Sequence, residues 1–423
     1  MSSSNELSET KRLSGRRALF ISYNGMLDPL GQSQVLPYLR QLSQRGVAFT
    51  LLSFEREAQL NATGEAGINA LRASLTADGI EWHWLRYHQT PSLLATAYDV
   101  AHGVRVAKRL VKKNGIELVH ARSHIPVTIA MAIKKRLPVK IIFDVRGLMA
   151  EEYVDANHWR KDSLPYTLTK AMERRAFATA EGVVTLTNAI WKIIKNWDGL
   201  RQRPEIAHQV VPCCADLDLF QFSESDRQRR RNELGLNEEV VLVYSGSIDG
   251  WYLTEQMADF FSSLLGRRSD AHALWLTPAK HERIHELMTQ RNVDEGRYSV
   301  RAALPRDVPS YLSASDVGVA FIKPCFSKLA SSPTKYAEYL ACGLPLVINA
   351  GIGDSDSLIT EEHAGALVHD FSETDFEEAA KVIEPFSANK EETRRLTREI
   401  AERLFDVGTV GVERYAKLYE DIM

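Results

Sequence analysis

SSPTKYAEYLACGLPLVINA, residues 331–350, has the pattern of a short helix followed by a buried strand. Ser332 belongs to the residue types that cap helix N-termini, and Pro333 suits the first helical position because its missing N–H would have no partner there. Gly343 marks the end of the helix. The pattern predicts a helix over residues 333–342, and the apolar run after it predicts a strand.

Short apolar runs alternate with helical patterns on both sides of this stretch, which is typical of parallel sheets covered by helices. The alternation pauses at residues 199–204 and around 213–231. The runs predicted to be strands are RRALFIS, FTLLSF, WHWLRY, LVHARS, KIIFDVRG and GVVTLT before the pause, and VVLVYSG, ALWLT, YSVRAA, VGVAFI, PLVINA and GALVH after it.

A chain of 423 residues exceeds the roughly 250–300 residues that a single core usually reaches, so we expect two domains. Both have the pattern of doubly wound α/β domains, and the chain closes with an amphipathic helix. The predicted segments are a disordered polar tail at 1–16, an N-terminal domain at 17–221, a C-terminal domain at 222–405 and the terminal helix within 406–423.

The composition is that of a globular protein without a global attraction to nucleic acid or membrane, because 44% of the residues are hydrophobic, 25% are charged and the formal net charge is −3. No apolar run approaches the roughly 18 residues of a membrane span. The four cysteines are scattered without a CxxC motif, which indicates neither a zinc site nor a disulfide framework. We expect a cytoplasmic protein with no nucleic-acid partner.

The start of the predicted helix is a candidate anion site, because it follows a strand and offers free backbone N–H groups at Ser331 and Ser332. Glu338 lies about 9 Å further along and shares a face with Thr334 and Lys335. A carboxylate accepts hydrogen bonds from vicinal hydroxyls, so a diphosphate at the helix start would place a ribose near Glu338. Alternatively, Glu338 pairs with Lys335 on a solvated face, and the residues alone leave both interpretations open.

The same stretch resembles the nucleotide-sugar site of retaining glycosyltransferases of the family 4 type, in which Ser-x-Pro-x-Lys leads into Glu-Tyr-x-Ala-x-Gly-x-Pro. The resemblance extends to the segments at 30–54, 210–220 and 241–252. It implies the GT-B fold, with two Rossmann-like domains facing a central cleft and a C-terminal helix that returns to the first domain. It also implies that the helix start binds the donor diphosphate and that Glu338 binds the ribose.

The chain departs from the family pattern at several positions. Ala330 stands where the family often has a glutamate that touches the donor sugar, and SGSIDGWY lacks the usual Arg and Lys that neutralise the diphosphate. Lys328 or Lys335 would then take over that charge. Arg146 stands where the family often has a histidine, and it either contacts the sugar or acceptor or pairs with the acids at 151–152.

Loop residues complete the candidate site. The resemblance implies that Gly31 and Gly246 allow close approach of the backbone to the donor phosphates, and ordinary turn chemistry is the alternative. Asp28 is placed to meet the acceptor, and Asp354 is either a turn former or a donor contact. The histidines in and after the LVHARS strand, His120 and His124, are more often structural and are minor candidates.

A basic helix face in the first domain has two interpretations. A solvated face is the default explanation, and an anionic membrane surface is the alternative, since each close basic residue contributes about 1 kcal/mol of attraction. The residues of this face are Arg105, Lys108, Arg109, Lys112 and Lys113. The run AIWKIIKNW is assigned to core packing, with membrane contact as the alternative.

The predicted function is that of a retaining glycosyltransferase of hexosyltransferase type, which moves a sugar from a nucleoside-diphosphate sugar to a glycan or lipid-linked acceptor in surface polysaccharide or glycoconjugate biosynthesis. A UDP-sugar is assumed from the usual preference of the family. No Asp-x-Asp pair is placed to hold a metal-bound diphosphate, so no metal or other cofactor is expected. The alternatives are a non-catalytic nucleotide-sugar-binding subunit, a sugar-nucleotide 2-epimerase of the same fold and, less readily, a phosphorylase.

Overall fold

The computed structural model of the protein describes residues 13–90, 92–278 and 280–423. Most of the predicted tail, residues 1–16, therefore lies outside the described residues. The chain divides into two compact units, of which the first ends at Pro212 and resumes with Val407–Met423, and the second is Cys213–Asp406. The segment from Cys213 onward, which resembles an interdomain segment in sequence, belongs to the second unit.

The first unit is built on a seven-stranded sheet in the order β3-β2-β1-β4-β5-β6-β7, and every pairing is parallel. Its central strands are apolar and buried on both faces, as expected where helices cover both sides. The strands are β1 Arg17–Ser22, β2 Ala48–Glu55, β3 Ile80–Arg86, β4 Leu118–Arg122, β5 Lys140–Val145, β6 Gly182–Thr185 and β7 Ala207–Val210.

Helices connect these strands and bury one face each against the sheet. The described helices up to Pro212 are α1 Pro29–Gln34, α2 Leu36–Gln44, α3 Glu57–Ala77, α4 Ser92–Asn114, α5 His124–Lys134, α6 Met149–Asp155, α7 Leu164–Thr179 and α8 Asn188–Ile194. The basic face lies on α4, whose opposite side is buried, as the sequence predicts.

The chain end returns to the first unit, as predicted. A π-helical turn, Val407–Val412, leads into α17, Glu413–Ile422, which buries Leu418 and Ile422. The Tyr415 hydroxyl donates to Asp144 Oδ2 over 2.9 Å, and the Tyr419 hydroxyl lies 2.8 Å from His120 Nδ1. The terminal helix is thus fixed to β4 and β5 by polar contacts within a buried interface.

The second unit has a six-stranded, fully parallel sheet in the order β10-β9-β8-β11-β12-β13. The strands are β8 Val240–Ser245, β9 Ala271–Leu276, β10 Tyr298–Arg301, β11 Val317–Ala320, β12 Leu346–Asn349 and β13 Gly365–Val368. The helices are α9 Glu224–Leu234, α10 Thr254–Arg267, α11 His281–Gln290, α12 Val308–Ala314, α13 Thr334–Ala341, α14 Ser355–Thr360, α15 Glu373–Ala388 and α16 Lys390–Phe405.

Every apolar run that was predicted to be a strand forms one, and the predicted α/β class is confirmed. The sequence pattern missed β7, because its four residues, AHQV, are all half-buried and form the outer strand of the first sheet. In the described part of the chain, no helix is long and apolar enough to cross a membrane. All four cysteines are free thiols.

Candidate functional site

The helix α13 begins at Thr334, one residue later than its sequence predicts. Pro333 is the N-cap residue, and no side chain caps the helix. The prediction that Ser332 is the N-cap is wrong, because the Ser332 hydroxyl instead accepts a hydrogen bond of 3.1 Å from the Cys213 N–H. The Ser331 N–H donates to the Lys328 carbonyl over 3.1 Å. The first N–H groups of α13 thus have no side-chain cap, which keeps the helix start open for an anion.

Lys335 is buried in the first turn of α13, with 7% of the residue exposed. Its Nζ lies 3.6 Å from the centre of the Tyr252 ring and donates to the Tyr244 hydroxyl over 3.3 Å. Burial lowers the pKa of Lys335 to about 7, although the negative charge of Glu338 opposes the shift. The amino group is held between two aromatic rings.

Lys335 also reaches the loop after β8. Gly246 has φ 136, and a Cβ at this position would lie 3.0 Å from Lys335 Nζ. Glycine is required there because other residues rarely adopt this backbone conformation and because the lysine occupies the adjacent space. Lys335 Nζ therefore lies against the loop after β8, whose sequence, SGSIDGWY, contains neither Arg nor Lys.

Glu338 is half-buried one turn further along α13. Burial raises the pKa of its carboxyl group to about 7, and the positive charge of Lys335 offsets only part of this shift. Within the described ranges, the carboxylate has neither a hydrogen-bond donor nor an ion-pair partner. The alternative in which Glu338 pairs with Lys335 on a solvated face is therefore wrong, since Lys335 is buried and no ion pair forms.

Tyr339 fixes α13 against β8. Its hydroxyl accepts a 2.7 Å hydrogen bond from the Ser245 N–H, and its ring packs where Gly318 leaves no side chain. Because Tyr339 holds one face of the helix in the core, the positions of Thr334 and Glu338 on the half-buried face are fixed as well. The helix is a rigid support for both candidate contacts.

Three loops converge beside α13, each at the carboxyl end of a strand. The Lys323 N–H after β11 donates to the Trp251 carbonyl after β8 over 2.8 Å, and the Gly353 N–H after β12 donates to the Lys328 carbonyl over 2.9 Å. Buried Lys328 places its Nζ 3.8 Å from the centre of the Trp251 ring. This edge of the sheet is where open parallel α/β sheets bind ligands.

The structure also shows the contacts of further residues in the loops at this edge of the sheet. Ala330 is buried, so its methyl group packs in the core rather than presenting a polar group. The Asp354 carbonyl accepts from the Ser357 hydroxyl over 2.7 Å at the start of α14, which fits a turn former. The sequence reasoning missed Lys280, which follows β9. Its Nζ lies 2.9 Å from Asp249 Oδ2 in the loop after β8. Its position after a strand at the same sheet edge was the available signal.

Arg146 in the first unit follows β5 and lies beside a buried acid. Its Nη1 is 3.7 Å from Asp144 Oδ1. Burial alone would raise the pKa of Asp144, but Arg146 and the hydrogen bond with His120 lower it to about 2. Glu151, one of the predicted partners of Arg146, pairs with Lys170 over 2.9 Å.

The two minor histidine candidates are parts of buried polar networks. His120 Nε2 lies 3.3 Å from Asp144 Oδ2, and burial lowers the pKa of His120. His124 Nε2 lies 3.0 Å from Glu173 Oε1. Both residues are 1% exposed, which supports the structural interpretation of each.

The loop after β1 packs on Glu55, a residue that the sequence reasoning missed although it directly follows the predicted strand FTLLSF. Glu55 accepts hydrogen bonds from the N–H groups of Met26 and Leu27 over 2.7 and 3.1 Å, and burial raises its pKa. A Cβ at Gly31 would collide with the Gly25 carbonyl, so close packing explains why glycine occupies position 31.

Asp28 lies in the same loop and is buried, with Oδ2 4.0 Å from Arg56 Nε. The acceptor role of Asp28 and the catalytic role of Arg146 stay predictions. The same holds for the donor roles of Gly31, Gly246, Ser331, Ser332, Thr334, Lys335, Lys328 and Glu338.

The basic residues of α4 have the predicted amphipathic arrangement. Ala107, Leu110 and Val111 are buried on one side, and the basic residues lie on the half-buried and exposed side, where Lys113 pairs with Glu81 over 3.0 Å. In the run AIWKIIKNW, Ile194 is buried, which fits core packing.

No group of three or more metal-ligating side chains is present among the residues that the structure describes. No family model matches the chain, and no curated protein sequence matches it. Similarity to known proteins is therefore detected by comparing structures and not by comparing sequences.

Several solved structures resemble this chain over nearly its whole length. Sucrose-phosphate synthase from Thermosynechococcus elongatus has a TM-score of 0.72 at 15% identity, with 96% of this chain and 98% of that chain covered. A glycosyltransferase from Rickettsia africae has a TM-score of 0.69 at 13% identity, with 96% and 98% covered. HepE from Anabaena, in complex with UDP and glucose, has a TM-score of 0.67 at 15% identity, with 95% and 99% covered. The predicted GT-B fold is thereby confirmed.

Proposed function

We propose that this protein is a retaining glycosyltransferase, which transfers a hexose from a nucleoside-diphosphate sugar to a glycan or lipid-linked acceptor. The fold supports this proposal, because the similar HepE structure is a complex with UDP-glucose. The segment at 331–350 supports it independently through its resemblance to the donor site of this enzyme type.

The observation that carries the proposal is the state of Glu338. The carboxyl group is half-buried, its pKa is raised to about 7, and it has no hydrogen-bond donor in the described part of the chain, so its oxygens are available to a ligand. A ribose supplies two vicinal hydroxyl donors, which would offset the burial of the carboxylate. The open helix start and the nearby lysines supply the matching site for the diphosphate.

In the proposed reaction, negative charge grows on the diphosphate as the glycosidic bond to the donor sugar breaks. The start of α13 and the ammonium groups of Lys335 and Lys328 stabilise this charge, and Glu338 holds the ribose. An approaching diphosphate also favours the protonated form of Lys335, whose pKa is about 7 in the empty protein. The acceptor hydroxyl attacks the same face, and its proton passes to the departing diphosphate.

A thermal-shift screen tests the donor site with UDP, GDP, ADP and dTDP and their glucose conjugates. We expect one nucleotide to raise the Tm of the wild type and to raise that of Glu338→Ala much less. Glu361→Ala is the matched control, since Glu361 is an exposed acid of the same unit, and it should respond like the wild type. The donor site is excluded if no nucleotide stabilises the wild type or if Glu338→Ala responds as the wild type does.

Ala330 favours a second candidate function, a non-catalytic nucleotide-sugar-binding subunit, because its buried methyl group cannot contact a donor sugar. An acceptor-free hydrolysis assay separates the two functions. Release of the nucleoside diphosphate with multiple turnovers supports the transferase, whereas tight binding without any release supports the subunit.

We further propose that the exposed face of α4 attracts an anionic membrane surface. Leu94 and Tyr98, which are 70% and 57% exposed, lie on the same face as Arg105 and Arg109. Flotation with liposomes that contain phosphatidylglycerol should recover the wild type but not Arg105→Glu/Arg109→Glu, and Lys381→Glu in the second unit serves as control. Equal recovery with neutral liposomes would contradict an electrostatic surface.

A further inference from the structure

A histidine and a buried carboxylate form a dyad at the carboxyl end of β3 in the first unit. His88 Nδ1 lies 2.6 Å from Asp99 Oδ1 on α4. The other carboxylate oxygen, Oδ2, accepts from the Tyr23 hydroxyl over 2.9 Å and from the His88 N–H over 3.0 Å. Asp99 is fully buried, so its position is set by the core of the unit.

This geometry fixes the tautomer of His88. A carboxylate is an acceptor only, so Nδ1 must be the nitrogen that carries the proton. In the neutral ring, Nε2 then presents a lone pair. The His88 side chain is 42% exposed, and no residue of the described ranges donates to Nε2. While the ring is neutral, the dyad therefore offers a fixed hydrogen-bond acceptor to a molecule in solution, whereas a protonated ring presents a donor at Nε2.

Aromatic rings lie near the dyad. The exposed Tyr98 ring packs edge-to-face on His88 at 5.1 Å between ring centroids. Tyr87 precedes His88 in the chain, and its ring meets that of Tyr23 at 5.1 Å. Pyranosides have an apolar face of C–H groups and a rim of hydroxyls, so they fit a surface with an exposed aromatic ring, that of Tyr98, and one oriented acceptor.

We propose that His88 Nε2 accepts a hydrogen bond from a hydroxyl of the acceptor glycoside and that Asp99 is the positioning residue that fixes this nitrogen as the acceptor. The inference rests on the proposed glycosyltransferase function and assigns the part of the first unit that recognises the acceptor. It requires no covalent step at His88, because the ring only orients the hydroxyl.

The substitution Asp99→Asn should change the tautomer of His88. In this variant, the single oxygen of the new side chain must still accept from two donors, the Tyr23 hydroxyl and the His88 N–H. The new NH2 group then faces Nδ1 and donates to it, which moves the ring proton to Nε2. The variant keeps the shape of the site but replaces the acceptor by a donor.

Long-range ¹H–¹⁵N spectra of the histidine-labelled full chain test this prediction, with octyl β-D-glucoside, octyl β-D-galactoside and octyl α-D-mannoside as probes. At a pH at which the ring is neutral, we expect unprotonated Nε2 in His88 of the wild type, protonated Nε2 in Asp99→Asn, and a shift of the wild-type Nε2 signal with at least one glycoside. His83 is the internal control, because it lies on β3, is 35% exposed and pairs with Glu81. The inference is overturned if no glycoside moves the His88 signal or if His83 responds equally.

Kinetics with the same glycoside complete the test. His88→Ala should raise the KM for the glycoside at least tenfold and leave acceptor-free hydrolysis of the nucleotide sugar within twofold of the wild type. His88→Gln should recover part of the loss, since its side-chain oxygen reaches the position of Nε2, and His83→Gln should match the wild type. If no nucleotide sugar binds or is hydrolysed, the proposed function fails. If hydrolysis persists and His88→Ala keeps the wild-type KM, only the present inference fails.

Discussion

Charged side chains lack an ion-pair partner among the described residues at the start of α13, whereas they are paired at the carboxyl end of β5. In the second unit, Lys335 and Glu338 are buried or half-buried without an ion pair, and burial moves the pKa of each toward 7. In the first unit, Asp144 is shared by Arg146, His120 and Tyr415, and its pKa falls to about 2. Ion pairing and hydrogen bonds around Asp144 stabilise the fold, although Asp144 Oδ1 has no hydrogen-bond partner among the described residues. Unpaired groups with shifted pKa values beside an open helix start instead indicate a site for a ligand.

The largest expected effect comes from breaking the buried ion pair and hydrogen bonds of Asp144. Asp144→Ala should lower the free energy of unfolding by about 3–5 kcal/mol, because it leaves the positive charge of Arg146 buried without its carboxylate. Urea unfolding measures the loss. Asp144→Asn, which keeps the acceptor oxygen for Tyr415, should lose less than the alanine variant. A loss below about 1 kcal/mol would show that Asp144 is not a structural anchor.

Glu338→Gln should do the opposite and stabilise the empty protein. The carboxyl pKa is about 7 in the folded state against 4.5 as the usual value, so its contribution to stability is complete below pH 4.5 and is lost as the pH rises through 7. At pH 8 the free energy of unfolding of the glutamine variant should therefore be about 1–3 kcal/mol higher than that of the wild type. At pH 4 the two proteins should be equal, and a variant that is less stable at pH 8 contradicts the uncompensated state of Glu338.

Gly246→Ala should destabilise the protein by about 1–2 kcal/mol, because alanine is strained at φ 136 and its Cβ would press on Lys335 Nζ. It should also weaken nucleotide binding. Gly266→Ala is the control, since a Cβ at this helical position meets no other atom within 4 Å and should stabilise by about 0.5–1 kcal/mol. Chemical unfolding measures both, and equal effects of the two variants would exclude the packing of Lys335 against Gly246.

The smallest expected effect is at the surface. Lys113→Ala removes an exposed pair with Glu81 on the basic helix, and the free energy of unfolding should change by less than about 0.5 kcal/mol. Urea unfolding at low and high salt measures it. A loss well above this range would show that α4 depends on this pair, contrary to the small contribution expected of an exposed ion pair.

The sequence predicts the two sheets well because buried parallel strands are short apolar runs, and it fails at β7, whose half-buried residues break that pattern. It also makes Glu338 and Lys335 candidate site residues, through the helix pattern together with the family resemblance. It cannot show that Lys335 is enclosed by two tyrosine rings or that Ser332 binds Cys213, since these partners are distant in the chain. The dyad at His88 escapes sequence reasoning for the same reason, although a histidine after a strand was a visible signal.

The lowered pKa of Lys335 predicts that donor binding is coupled to the uptake of a proton. Lys335 has a pKa of about 7 against 10.5 as its usual value, so at pH 8 most of the empty protein holds it neutral, and a bound diphosphate should restore its charge. The contribution of this group to stability is complete above pH 10.5 and is lost as the pH falls through 7.

Isothermal titration calorimetry at pH 8, in buffers of different ionisation enthalpy, tests this coupling most directly with the nucleoside diphosphate selected by thermal shift. We predict the uptake of roughly 0.5–1 proton by the wild type, the same uptake by Lys381→Met, and little uptake with weakened binding by Lys335→Met. Binding without proton uptake, or unchanged uptake in Lys335→Met, would contradict the assignment of Lys335 and the start of α13 as the diphosphate site.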